Sequence, residues 1–244
     1  MKDRSAPVIT LRVRNHSTVV QRDDMARAFP VFLRQANNDL HKYWNHHWKA
    51  PHDPHVPFVD RIAELRAGHP WPTGPETWRA TIYDYPLQAM SDDDVKDMPV
   101  EALRTVGYHF VHDERPHLIV YAGLAQQAGL PWTLTFSHEL LECLVDPWAD
   151  GALEIGNDTY ELEICDPVQF QAYPIDGIWV SNFVTPAWFQ PPPAQLGTSS
   201  DDHYDFAKQL VSPRQRSLGG ARTLRVRGRE KTETLTGMGS VDKP

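Results

Sequence analysis

Thr135-Phe-Ser-His-Glu-Leu-Leu-Glu-Cys-Leu-Val-Asp-Pro147 is the stretch on which the reading of this chain turns. Leu134, Leu141 and Val145 fall on one face at helical spacing, widened by Leu140 and Leu144. Thr135, His138, Glu139 and Glu142 fall on the other. The spacing therefore predicts an amphipathic helix over 131–145. Residues four apart share a helix face, so His138 and Glu142 aim at one small volume, with Glu139 beside them. This is the metal-binding pattern H-E-x-x-H with a carboxylate in place of the second histidine. His138 and Glu142 are the expected ligands, and Glu139 the expected general base. The competing reading is a solvated acidic face or a buried polar network. The polar stripe contains no lysine, whereas a solvated helix face usually mixes lysine with glutamate.

Asp146-Pro147 ends the helix, because the residue before a proline is pushed out of the α region. Asp146 lies about 12 Å from His138 along a continuous helix. It is expected to fix the turn by accepting backbone amides, and could join the site only if the chain doubles back. A catalytic zinc takes three protein ligands and keeps a position for water, so a third ligand has to come from another segment. Glu161-Leu-Glu-Ile-Cys-Asp-Pro167 offers Glu163 first, with Asp166 as its rival or as the group that orients His138. Cys165 is a further candidate, and the bland alternative is a polar turn packed under the helix.

Three ordered blocks carry a resemblance. Ser137-His-Glu-Leu-Leu-Glu with Asp146-Pro147, then Glu163-Ile-Cys-Asp-Pro-Val, then Ile175-Asp-Gly-Ile-Trp-Val-Ser-Asn-Phe-Val-Thr-Pro-Ala-Trp-Phe189 resemble a family of poorly characterised zincin-like proteins with an HExxE motif, from bacteria and their phages. The likeness covers about residues 107–190. It implies a metallopeptidase-like α+β fold: a small mixed sheet packed on an N-terminal helix and the HExxE helix, with long Pro-rich loops. The spacing from Glu142 to Glu163 is close to that of glutamate-ligated zincins. Some relatives are structural proteins of phage particles, which supplies the alternative to catalysis.

Working outward, Val8–Arg14 alternates apolar and polar residues as a half-buried strand does. Asp23 or Asp24 is expected to cap a helix running to about Trp44, with Pro30 marking a kink or a separate turn. Residues 59–69 read as short and helical, and Trp78–Tyr85 as a strand. Gly107–Pro116 reads as a loop or hairpin leading into a strand at His117–Ala122. In zincins a strand of this sort lies beside the active helix and holds extended substrate along its edge. Five histidines between His41 and His55 invite a second metal site, but their spacing matches no known ligand pattern, and loop packing around Trp44 and Trp48 is preferred. Asp92, Asp93 and Asp94 read as solvated. A late strand at 223–229 precedes a flexible tail. The expected domains are residues 1–190 for the zincin-like unit and 191–244 for a C-terminal extension.

The bulk numbers agree with one soluble globular unit. The chain has 244 residues, 41% hydrophobic and 23% charged, long enough to bury a sizeable core. A net charge of −8 argues against a dedicated nucleic-acid binder. No apolar run reaches the ~20 residues that span a bilayer, and the start lacks a signal-peptide core. Two cysteines are too few for a disulfide framework. These features lead to a cytoplasmic location, or the virion if the chain is phage-encoded.

The expected function is a zinc peptidase, with one Zn2+ and a peptide or protein substrate. A glutamate ligand makes the metal a weaker Lewis acid than a histidine would, so slow hydrolysis or another metal is expected. Tyr173, His109 and His112 are candidates to stabilise an oxyanion. The alternative is a non-catalytic structural protein with partners in an assembly.

Overall fold

The computed structural model describes residues 8–44, 61–67, 77–92, 103, 105–155, 157–189, 203–217, 219–226 and 229–234. His46–His55, the Pro-rich stretches from Pro51 and Pro191, most of the acidic run after Ser91, and the tail lie outside them.

The chain enters through β1 (Val8–Asn15), whose Ile9, Leu11 and Val13 are buried on one face. Helix α1 (Arg22–Arg34) follows. Its N-cap is Gln21, and Asp24 three residues on accepts a hydrogen bond from the Gln21 amide at 2.9 Å. The expected aspartate cap thus acts from inside the first turn, as the second half of a capping box. Pro30 does not break the helix. The chain continues through a π-helical turn at Gln35–Leu40 into a last turn, α2 (His41–Tyr43). The wider π turn turns Gln35, Ala36 and Leu40 inward.

A five-stranded sheet carries the rest. It contains β1, β2 (Arg61–Ala67), β3 (Thr77–Tyr83), β4 (Gly107–His112) and β5 (Arg115–Tyr121) in the order β2-β1-β3-β5-β4. Four neighbours run parallel and only β4 is antiparallel, joined to β5 by a tight turn. Both turn residues, Asp113 and Glu114, have positive φ, as a two-residue hairpin with right-handed strand twist requires.

Two expectations are corrected here. Residues 61–67 form an edge strand and not a helix. Arg-Ile-Ala-Glu-Leu-Arg-Ala has helical propensity, but parallel pairing with β1 outweighs that preference. The strand at 117–122 lies inside the sheet, between β3 and β4, so among the described strands the outermost one beside the long helix is β4.

The short α3 (Pro86–Ala89) lies between β3 and β4, and after β5 come α4 (Ala122–Gln127) and α5 (Trp132–Val145). Pro131 is the N-cap of α5. This helix is far from half-exposed: twelve of its fourteen residues are buried, from Thr133 to Val145 with only His138 left partly open. It packs on β4, β5, α4 and β9 (Ile178–Ser181), the second strand of a hairpin with β8 (Ala172–Ile175). The side against α1 is aromatic. Phe136 stacks on Phe32 at 4.7 Å between ring centres, with Phe29 and Trp132 around them.

A smaller antiparallel sheet, in the order β11-β10-β7-β6, contains β6 (Ala152–Ile155), β7 (Asp158–Glu161), β10 (Ala221–Val226) and β11 (Arg229–Thr234). Between β9 and β10 runs the short α6 (Pro186–Phe189). The fold is α+β with a small mixed sheet. Among the described residues no helix is long and apolar enough to cross a membrane.

Candidate metal centre

The polar stripe of α5 faces a partly open cavity of about 440 Å3 whose walls include Val106 to His109 of the β4 edge, the stripe itself, Glu161 at the end of β7, Glu163 and Asp166 beyond it, and Ala221 at the start of β10. No lysine or arginine is among its described lining residues.

Each wall is held in place by identifiable bonds. Ser137 Oγ accepts the Ser181 amide of β9 at 2.7 Å and donates to Leu134 O, while Thr133 Oγ1 donates to Trp179 O at 2.8 Å. Two side chains of α5 thus dock the β8–β9 hairpin on its back. On the other side, Glu142 Oε1 accepts the Cys165 amide at 3.0 Å and the Asp166 amide at 3.3 Å. The carboxylate is pinned by backbone, which fixes the direction of its second oxygen. Asp146 accepts the Gly151 amide at 2.8 Å and closes the turn after the helix, the role expected of it. β4 comes close because residue 107 is glycine. A Cβ there would stand 2.6 Å from Thr135 Cγ2 and 2.7 Å from Glu139 Oε1.

The structure brings together His138, Glu139, Glu142, Glu163 and Asp166, and adds His109. His138 Nε2 lies 3.2 Å from Glu142 Oε2 and 3.4 Å from Asp166 Oδ1. His109 Nδ1 lies 3.6 Å from Glu139 Oε2 and 4.0 Å from Glu142 Oε2. Among the described residues two groups have ligand atoms within 4.8 Å of one another: His138 with Glu139 and Glu142, and His109 with Glu142 and Glu163. These His/Glu groups could hold a metal ion. The Asp166 and Glu163 carboxylates, weighed as rivals, are both at the site, one against His138 and the other grouped with His109.

Burial sets the protonation of this cluster, and the neighbours modulate it. Burial raises the carboxyl groups of Glu139, Glu163 and Asp166 above the ordinary range, with the charge of Glu142 adding to each. Glu142 alone goes down: burial opposes its ionisation, but the His138 imidazole beside it prevails. Burial also works against charged imidazoles, yet the carboxylates hold His138 well up, and Glu163, Glu139 and Glu142 push His109 up to about 10. The cluster retains protons where a metal cation would otherwise supply positive charge.

No family model, curated protein or solved structure matches the chain.

Cys165 contributes its amide to Glu142, and burial pushes its thiol well up, so its sulfur is not a ready anionic ligand. Tyr173, expected as an oxyanion group, is bound to Gln35 and Asp39 of the π-helical turn and is not among the described lining residues of the cavity. His112 is also outside the lining and lies 3.4 Å from Asp113. Of the three oxyanion candidates only His109 faces the site. Strand alternation carried that signal: 109 and 112 differ by an odd number, so they point to opposite faces. Sequence reasoning did not see His109 as a member of a ligand group.

Proposed function

We propose that this chain is a zincin-like, metal-dependent hydrolase of peptide bonds, with Zn2+ as the preferred ion. The observation that carries the reading is the pair His138 Nε2 and Glu142 Oε2, 3.2 Å apart on successive turns of a buried helix, with Glu139 between them in sequence. Zinc binds nitrogen and oxygen at about 2.0–2.2 Å in a tetrahedral site, which places its ligand atoms roughly 3.4 Å from one another. The separations of His138 from Glu142 and Asp166, 3.2 and 3.4 Å, fit that requirement. A bound divalent ion supplies polarisation of a carbonyl and acidification of water.

The chain supplies the rest. Glu139 is buried, and its raised proton affinity suits a base that takes a proton from water and returns it to a leaving amine. His109 Nδ1 stands 3.6 Å from that carboxylate. β4, the outermost of the described strands on that side, runs along the same cavity, so an extended peptide adding to the sheet there would pass its backbone over Glu139.

A second reading, a non-catalytic zincin-like protein in a phage particle or another assembly, draws support from one feature. Glu139 is only 7% exposed and already paired with His109, which limits the approach of water. Glu139→Gln separates the two. For an enzyme, turnover of a broad peptide library is expected to fall by about 100-fold or more while metal content is unchanged. No cleavage by metal-loaded wild type would leave only the second reading. Metal analysis of Glu142→Ala and Glu163→Ala beside wild type tests the site itself, with the larger loss expected for Glu142→Ala.

A further inference from the structure

One divalent ion at His138 leaves half of the cavity without an explanation. His109, Glu142 and Glu163 bring ligand atoms within 4.8 Å of one another on the β4 side, a group separate from that of His138 and sharing only Glu142 with it. His109 is 5% exposed, and its Nδ1 faces the shared carboxylate, 4.0 Å from Glu142 Oε2.

We propose that the centre is dinuclear: a second divalent cation sits on the β4 side, held by His109 and Glu163, and shares Glu142 with the first. The proposal rests on the metal-binding reading above and extends it.

Glu142 has the posture of a bridge. Its Oε1 is occupied by the Cys165 and Asp166 amides, and its Oε2 faces His138 at 3.2 Å and His109 at 4.0 Å. One oxygen, fixed by backbone behind it, therefore looks toward both imidazoles. Carboxylate-rich two-metal sites place their ions about 3.5–4 Å apart, a span a single shared oxygen can cover.

Charge points the same way. Fully ionised, the carboxylates of Glu139, Glu142, Glu163 and Asp166 carry four negative charges. No lysine or arginine among the described lining residues offsets them. One divalent ion would offset only two of those charges, whereas two would offset all four.

The test is stoichiometry on the full chain. Native mass spectrometry and elemental analysis after loading with Zn2+ are expected to give two ions per chain. His109→Ala and, separately, Glu163→Gln are expected to give one. Loading with Mn2+ provides a readout that needs no variant: an exchange-coupled electron paramagnetic resonance signal in wild type. A single ion per wild-type chain with an uncoupled Mn2+ spectrum would overturn the dinuclear assignment and leave the mononuclear reading standing. No bound ion at all would overturn both. Two ions retained in folded His109→Ala would remove the second ion from the place assigned here.

Discussion

At residue 107 one methyl group decides where the proposed base can stand. A Cβ on Gly107 would press on Glu139 Oε1 and on Thr135 Cγ2, both well inside contact distance. Gly107→Ala is therefore expected to cost about 1–3 kcal/mol through overpacking and to push Glu139 aside. A melting curve together with metal analysis checks this: the midpoint should fall while bound metal remains, because neither His138 nor Glu142 is touched. Asp84 offers a second residue-scale expectation, in pH. Burial would raise its carboxyl, but Ser17 and Thr18 donate to it from hydroxyls and an amide and hold it below the usual range. A depressed carboxyl contributes stability that is full above the unfolded value of about 3.9 and is lost as pH falls through the folded value. The stability difference between wild type and Asp84→Asn, measured by denaturant titration, should thus shrink below about pH 4. A difference unchanged with pH would contradict it.

At the scale of elements, α5 is the unit that the others position. Its back is locked by the Phe136 stack on α1 and by the Ser137 and Thr133 bonds to β9. Phe136 is fully buried, so Phe136→Ala should cost about 3–5 kcal/mol. Chemical denaturation measures that loss. It should also loosen metal binding without removing any ligand. Much of this helix was legible in the sequence, because periodicity and the breaker Asp146-Pro147 are local signals. Its burial was not: an amphipathic pattern reads the same whether the polar stripe lies on an open surface or lines a cavity. The strand at 61–67 was illegible for a related reason, since its pairing partner β1 is distant in sequence. His109 could have been separated from His112 by alternation, but only once β4 was known to be the strand at the edge.

For the whole molecule, the consequence of packing carboxylates around α5 is that ligand and fold are linked. Adding Zn2+ to metal-stripped protein should raise the thermal midpoint, and a chelator should lower it again. At free metal a hundredfold above the dissociation constant, one ion adds about 2.7 kcal/mol. Calorimetry with and without chelator measures the shift, and a midpoint indifferent to metal would count against any tight site here.

The pairing of β10 with β7 also bears on the order in which the protein is made. Ala221 forms part of the cavity wall, yet it is synthesised long after the α5 ligands. The wall of the acidic pocket is therefore complete only after residues far downstream of the α5 carboxylates have been made and β10 has paired with β7.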